Sequence, residues 1–312
     1  MDIGPSASLI EARTCEDVMR YGIISDIHGN LHALRGALEV LKRNGVDAYL
    51  CPGDLVGYGP MPNECVEIVA GLDAACVAGN HDLMVLGRLP SERCFPLVRK
   101  SVAWTRGVLR DDARNYLAQL DVVLSAEPGV MTHASLDDPT RYIREPREAA
   151  EQLAVLEVHH PSASTLLLGH THKAWAYDQT EGSLPVTAGT PVLLRNRSRR
   201  LINPGSVGQS RDREPWAHFM ILDTDRNEIV PFAIDYDVDA CRRALSRHGL
   251  PLESCHRPPL SVFDKGKRVL RRASRKARLR RMDFDTHSLP PDTEPARQHP
   301  DGSSSARNGE PC

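Results

Sequence analysis

Apolar and polar positions follow one repeating order through the first eighty residues. Tyr21-Gly-Ile-Ile-Ser25 is a short apolar run, and a polar cluster, 26–30, follows it. Leu31 to Asn44 then carries apolar residues at 31, 34, 37, 38 and 41, the spacing of one helix face, and Gly45 closes the segment. Ala48 to Cys51 reads as a buried strand that ends in the turn Pro52-Gly-Asp54, and a helix over about 63–70 leads to a strand over 73–78. Strand, polar loop, helix is the unit of a parallel sheet, with ligands gathered at the carboxyl ends of its strands.

Beyond this the rhythm changes. The pattern predicts helices over 91–107, 111–119 and 146–157, and strands over 121–125 and 129–133. Short strands with turn chemistry follow at 165–168, 173–178, 184–187, 200–202, 216–223 and 228–234, then an amphipathic helix over 237–248 that Gly249 closes. The expectation is an α/β fold: a two-sheet β-sandwich flanked by helices, in one domain over 20–250. Residues 1–19 read as an N-terminal extension, and 251–312 as a tail, first basic and then disordered. The tail reading rests on composition, because 283–312 is rich in Pro, Ser, Asp and Gly with too little apolar surface to offset its ordering entropy.

Composition adds bounds. A chain of 312 residues, 41% hydrophobic and 26% charged, can bury a sizeable core. Its formal charge of −2 gives no overall bias toward nucleic acid or membrane, but 265–281 (KGKRVLRRASRKARLRR) is densely basic. That segment reads either as a solvated, partly helical tail or as a contact for nucleic-acid phosphates; its few small apolar residues argue against a membrane-surface helix. The eight cysteines form no C-x-x-C pair and no disulfide framework, which fits free, structural thiols in a reducing compartment. There is no apolar run of bilayer length and no secretory signal pattern, so the cytoplasm is the expected location.

The chemistry stands at the strand ends. Five motifs each follow an apolar run: Asp26-Ile-His28, Gly53-Asp54, Gly79-Asn80-His81-Asp82, Thr132-His133 and Gly169-His170-Thr-His172. Carboxylates, imidazoles and an amide oxygen together suit borderline divalent ions. Side-chain alternation in an extended segment would turn Asp26 and His28 to one side, and His170 and His172 likewise. Two adjacent ions need a charged bridging ligand, and Asp54 is the natural candidate. The remaining donors divide into Asp26, His28 and His172 for one ion and Asn80, His133 and His170 for the other. A bridging hydroxide would attack phosphorus in line. His81, next to a ligand, would donate a hydrogen bond or proton to the leaving oxygen, and Asp82 would orient His81 or another ligand. Tyr58, in Val56-Gly-Tyr-Gly-Pro60, and Arg211, beyond Asn203-Pro-Gly-Ser-Val-Gly-Gln209, are candidates for substrate contact, as are the amides of the latter turn. His32 and the pair His159-His160 read as surface or supporting residues.

In order, spacing and flanking glycines these five blocks resemble the calcineurin-like metallophosphoesterases. HGNLHAL (28–34), GDLVGYGPMPNE (53–64), AWTRGVL (103–109) and INPGSVGQSRD (202–212) are similar to its small prokaryotic phosphodiesterase branch, whose members are often labelled diadenosine-tetraphosphatase-related. The resemblance spans about 20–240. It implies the same two-sheet sandwich and the same ligand set. It departs at Ala134, where the family has glycine, and at the two terminal segments. The function expected is hydrolysis of phosphodiester or phosphoanhydride bonds in a small phosphorylated, nucleotide-like molecule. The cofactor would be two divalent metal ions, Mn foremost, with Fe, Zn, Ni or Mg as alternatives. The competing readings are a non-catalytic protein-binding scaffold of the same fold, and a nucleic-acid-directed phosphoesterase that uses the basic tail.

Overall fold

The computed structural model describes residues 19–258. Residues 1–18 of the expected extension, the basic segment 265–281 and the segment 283–312 lie outside the described residues.

The chain order begins with β1 (Arg20–Ile23), α1 (Leu31–Arg43), β2 (Ala48–Cys51), α2 (Pro62–Gly71), β3 (Ala75–Cys76), α3 (Asn80–Val85), α4 (Pro96–Val108) and α5 (Asp111–Gln119). It continues with β4 (Val123–Ala126), β5 (Gly129–Thr132), α6 (Pro146–His159), β6 (Thr165–Leu167), β7 (Ala174–Asp178) and β8 (Gly182–Leu184). The last elements are β9 (Val192–Leu193), β10 (Arg200–Pro204), β11 (Ala217–Asp223), β12 (Glu228–Ile234), α7 (Val238–Arg247) and a 3-10 turn, Leu252–Ser254.

Two six-stranded sheets form, in the orders β3-β2-β1-β11-β12-β9 and β4-β5-β6-β10-β7-β8. Alternation along each central strand separates the layers. Ile23, Leu50, Met131, Leu167, Ile202, Met220 and Leu222 meet between the sheets. Phe219 and Ile221 face the other way, toward α1 and its neighbours, while Val130, Leu166, Leu168 and Leu201 pack with Ala149, Leu153 and Leu156 of α6. A strand buried on both faces reads as an unbroken apolar run. Each fully buried Leu, Ile or Phe contributes roughly 1.5–3 kcal/mol. The fold is therefore the helix-flanked sandwich of two sheets that the sequence predicts.

The sheets are mixed rather than parallel. β1 pairs in parallel with β2, and β2 with β3, but the other edge of β1 takes β11 antiparallel, with Ile23 opposite Met220. The hairpin of β11 and β12 docks there because the apolar run of β11 needs a partner for its backbone and cover for both faces. Helix α4 begins at Pro96 rather than near residue 91, since proline fits the first helical position and not the second turn. The predicted strand 73–78 is reduced to two residues, and the unpredicted α3 starts directly after it. Six residues are too few to show a helical period.

The parallel strands β1, β2 and β3 of one sheet and β5, β6 and β10 of the other end at the same edge of the sandwich. Hydrogen bonds tie their terminal loops together. Val207 and Gly208 donate backbone N–H groups to the carbonyls of Ser25 and Asp26, and Gly169 donates to His133 across 2.9 Å.

Candidate metal centre

Asp26, His28, Asp54, Asn80, His81, Asp82, His133, His170 and His172 all come to this edge, none more than 4% exposed. They do not lie on extended backbone. Asp26, His28, Asp54, His170 and His172 have φ between 50° and 65°, the left-handed region. Asp and His reach that region more readily than bulky residues, yet each such residue carries strain of about 1–3 kcal/mol. Neighbouring turns impose it: Asp26 donates its N–H to Gly53, His28 to Asp54 and Gly29 to Leu55, at 2.8–3.0 Å. Side-chain alternation is therefore not the reason that Asp26 and His28 converge; two interlocked left-handed turns are.

Each imidazole is oriented through its outer nitrogen. His133 Nδ1 lies 2.6 Å from the Pro52 carbonyl, His172 Nδ1 2.7 Å from that of Gln209, and His28 Nδ1 3.2 Å from that of Val56. These bonds leave Nε2 of all three facing the centre. His170 is reversed: its Nε2 lies 3.1 Å from the Thr140 carbonyl, so Nδ1 is the free donor. A backbone carbonyl on the far nitrogen fixes the tautomer and ring plane that a metal ligand needs.

The convergence is tight. His172 Nε2 lies 3.2 Å from Asp26 Oδ1 and 3.1 Å from His28 Nε2. Asp54 Oδ2 lies between the two halves, 3.6 Å from His28 Nε2 and 3.2 Å from His133 Nε2. One ligand atom each from Asp26, His28, Asp54 and His172 falls within 4.8 Å of the others, a cage that could hold a metal ion. On the far side of Asp54, Asn80 Oδ1 is buried without a hydrogen-bond partner, His133 Nε2 faces the Asp54 carboxylate, and the His133 and His170 rings lie 5.1 Å apart. A buried acceptor with no partner is costly, and a cation between Asp54, Asn80 and His133 would satisfy Asn80 and take the place of the proton between His133 and Asp54. The donors fit two ions of the kind that accept mixed N and O ligands.

The electrostatics agree. Burial alone would raise Asp26 and Asp54, but His172 beside Asp26, and His133 and His81 beside Asp54, hold both carboxyls well below their usual range. Burial lowers His28 and His172 and brings His170 down to about 3, so these imidazoles keep a lone pair free. Burial also lowers His133, yet Asp54 more than reverses this and lifts it to about 9.

Of its two expected parts, Asp82 takes the support of a ligand other than His81. Its Oδ2 accepts the backbone N–H groups of Asp54, Gly79 and Leu55 at 2.9, 2.9 and 3.3 Å, and Oδ1 accepts that of Val56 at 3.0 Å. Asp82 thereby shapes the turn that carries Asp54, rather than orienting the His81 ring. The other oxygen of Asp54, Oδ1, accepts the His81 backbone N–H at 2.8 Å. Gly79 lies against this turn, and a Cβ there would collide with the Asp54 carboxylate and backbone nitrogen. Gly79→Ala is expected to displace Asp54, costing about 1–3 kcal/mol by overpacking and lowering metal content. Urea denaturation and elemental analysis of the variant check this.

Tyr58 and Arg211 both line the small cavity over the centre, together with Asn80, His81, Val98, Tyr142, His170 and His172. The Tyr58 ring is 4.5 Å from that of His81 and 4.6 Å from that of His28, so it is a wall that holds both. In the 203–209 turn the amides of Gly205, Val207, Gly208 and Gln209 are engaged, bonding to the Asn203 side chain, Ser25, Asp26 and the Ser206 hydroxyl. Tyr142, which no motif marks, stacks on His170 with centroids 3.9 Å apart. A lone aromatic residue in a polar loop gives no signal until the loop is placed. His159 and His160 lie away from the centre, at the end of α6, with His160 Nδ1 3.1 Å from the Ser125 hydroxyl. His32 is half-buried on α1. Cys51, Cys65, Cys76, Cys241 and Cys255 are free, and with Cys94 they are buried. Among the described residues no helix is long and apolar enough to cross a membrane.

This sandwich, with its ligand-bearing loops at one edge, is that of the calcineurin-like phosphoesterases, and the chain belongs to that superfamily: residues 19–227 match the profile of the calcineurin-like phosphoesterase superfamily domain. An uncharacterised protein of Methanocaldococcus jannaschii is 31% identical over 236 residues, which cover 73% of this chain and 93% of that protein. The crystal structure of a metallophosphoesterase from Sphaerobacter thermophilus matches with a TM-score of 0.67 and 31% identity over 77% of this chain and 97% of the other. A hypothetical protein from Pyrococcus horikoshii has the same fold at 19% identity and a TM-score of 0.60, over 76% and 96% of the two chains.

Proposed function

We propose that the chain hydrolyses phosphodiester or phosphoanhydride bonds of a small phosphorylated molecule with two divalent metal ions, Mn foremost. The observation that carries the reading is the buried, unpartnered Asn80 Oδ1, with His133 Nε2 facing Asp54, across Asp54 from the cage of Asp26, His28 and His172. Asp26, His28 and His172 would hold one ion, Asn80, His133 and His170 the other, and Asp54 both. When bound, such a pair supplies a water activated for in-line attack and neutralises charge on the phosphoryl oxygens.

The chain's own residues supply the rest. His81 stands beside the ligands with its Nδ1 buried and unpartnered, and Tyr58 and His28 fix its ring. Burial lowers its pKa to about 4, so in the free site the neutral ring offers an N–H to the leaving oxygen. A bound phosphate restores basicity to the imidazole, and proton transfer then follows from the same position. A protein-binding scaffold would have no use for this histidine. The nucleic-acid-directed alternative rests on 265–281, outside the described residues.

The test is hydrolysis of bis-p-nitrophenyl phosphate and p-nitrophenyl phosphate by metal-stripped protein reloaded with Mn²⁺. The expected result is turnover that depends on metal and falls roughly 10²–10⁴-fold in His81→Ala. Protein that binds two ions and hydrolyses neither ester, nor any nucleotide phosphoester, would overturn the reading.

A further inference from the structure

A second cavity, of about 360 Å³, adjoins the metal centre and lies within the range of small-molecule sites. Arg211 lines both cavities. Arg144, Lys173, Ile143 and Trp175 line the second with it. Three cations at one cavity repel one another, and among the described residues none of the three is in an ion pair with a carboxylate. Asp212, whose carboxyl His218 and Lys173 help to hold low, is bonded to His218 at 2.7 Å. Arg211 Nε is buried without a hydrogen-bond partner. Arg144 lies 3.8 Å over the Tyr142 ring, which in turn stacks on His170, so a cation–aromatic stack joins this cavity to a candidate metal ligand.

Trp175 supplies the other half of the site. It sits on β7, half-buried, and its Nε1 donates to the Ser183 hydroxyl of β8 at 3.4 Å. That bond and the strand hold the indole in place while it lines the cavity with Ile143. A fixed indole beside unpaired guanidinium and ammonium groups suits a ligand with an aromatic ring and a phosphate, since every base presents a face for stacking.

We propose that this cavity binds the nucleoside end of the substrate. Arg144, Lys173 and Arg211 hold a phosphate that is not cleaved, and Trp175 stacks the base. The substrate class is then a nucleoside polyphosphate or dinucleotide whose scissile phosphate reaches across Arg211 to the metal centre. This rests on the phosphoesterase reading above, and the binding test below is separate from turnover.

Binding of the non-hydrolysable adenosine 5′-(β,γ-methylene)triphosphate to the metal-loaded full chain would be measured by calorimetry, with methylenediphosphonate as the base-free control. The nucleotide is expected to bind more tightly than the control. Trp175→Ala should weaken the nucleotide about tenfold, leave the control where it was, and be largely rescued by Trp175→Phe. Lys173→Ala, at an exposed position, should weaken nucleotide binding several-fold, and less so at high salt. Equal binding of nucleotide and control, unmoved by Trp175→Ala, would overturn the proposal. So would nucleotide binding indifferent to Lys173→Ala. Nucleotide binding with the expected pattern in a protein that turns over no phosphoester would leave this site standing and sink the phosphoesterase reading.

Discussion

Asp54→Asn should reduce hydrolysis of bis-p-nitrophenyl phosphate by at least about 10³-fold, the upper range for removing one group that stabilises transition-state charge. The substitution keeps the shape of the side chain and its acceptor for the His81 backbone N–H, now 2.8 Å away. It removes the charge that faces His133 at 3.2 Å and His28 at 3.6 Å on the two halves of the centre. An amide is a poor bridge between two cations, because only one of its heavy atoms carries lone pairs. Metal content should therefore fall along with turnover, to one ion or fewer per chain by elemental analysis. A variant that retained two ions and near wild-type turnover would show that Asp54 is not the bridge.

The second large effect is on folding. Asp82→Ala is expected to destabilise the domain by roughly 3–5 kcal/mol, the cost of removing one partner from a buried charged network. Its carboxylate accepts backbone N–H groups from Asp54, Leu55, Val56 and Gly79, and it is fully buried. Because the carboxylate is fully buried, its loss would strand those amides. Burial, reinforced by the Asp54 carboxylate, lifts the Asp82 carboxyl to about 7, against the pull of the amides of Gly79 and Val56. Thermal melting should show a loss of about 10 °C for a domain of this size. Asp82→Asn, which retains one acceptor oxygen, should fall between. If Asp82→Ala melted like the wild type while losing activity, Asp82 would have a direct chemical part rather than a role in shaping the turn.

What was legible in the sequence follows from what local chemistry determines. Apolar runs of β1, β2, β5 and β6, the face of α1 at 31, 34, 37 and 41, and the polar residues after each strand are all local signals. They were enough to place Asp26, His28, Asp54, Asn80, His133, His170 and His172 at strand ends, because a strand buried on both faces must be apolar and its loop need not be. Short elements escaped for the same reason: α3 has six residues and β9 two, too few for a period to repeat clearly.

The tertiary structure alone decided how the groups converge. No local rule states that β11, almost two hundred residues on, pairs antiparallel with β1, or that two sheets align their parallel strand ends at one edge. The left-handed turns at Asp26, His28 and Asp54 exist because hydrogen bonds between the 26–29 and 53–55 segments hold them there. The role of Asp82 depends on amides 26 to 28 residues away, and Tyr142 gains its place only by stacking on His170. Side-chain type and spacing identify which residues can bind and react. Which atoms face one another is set by long-range packing, whose energy is not written in any one segment.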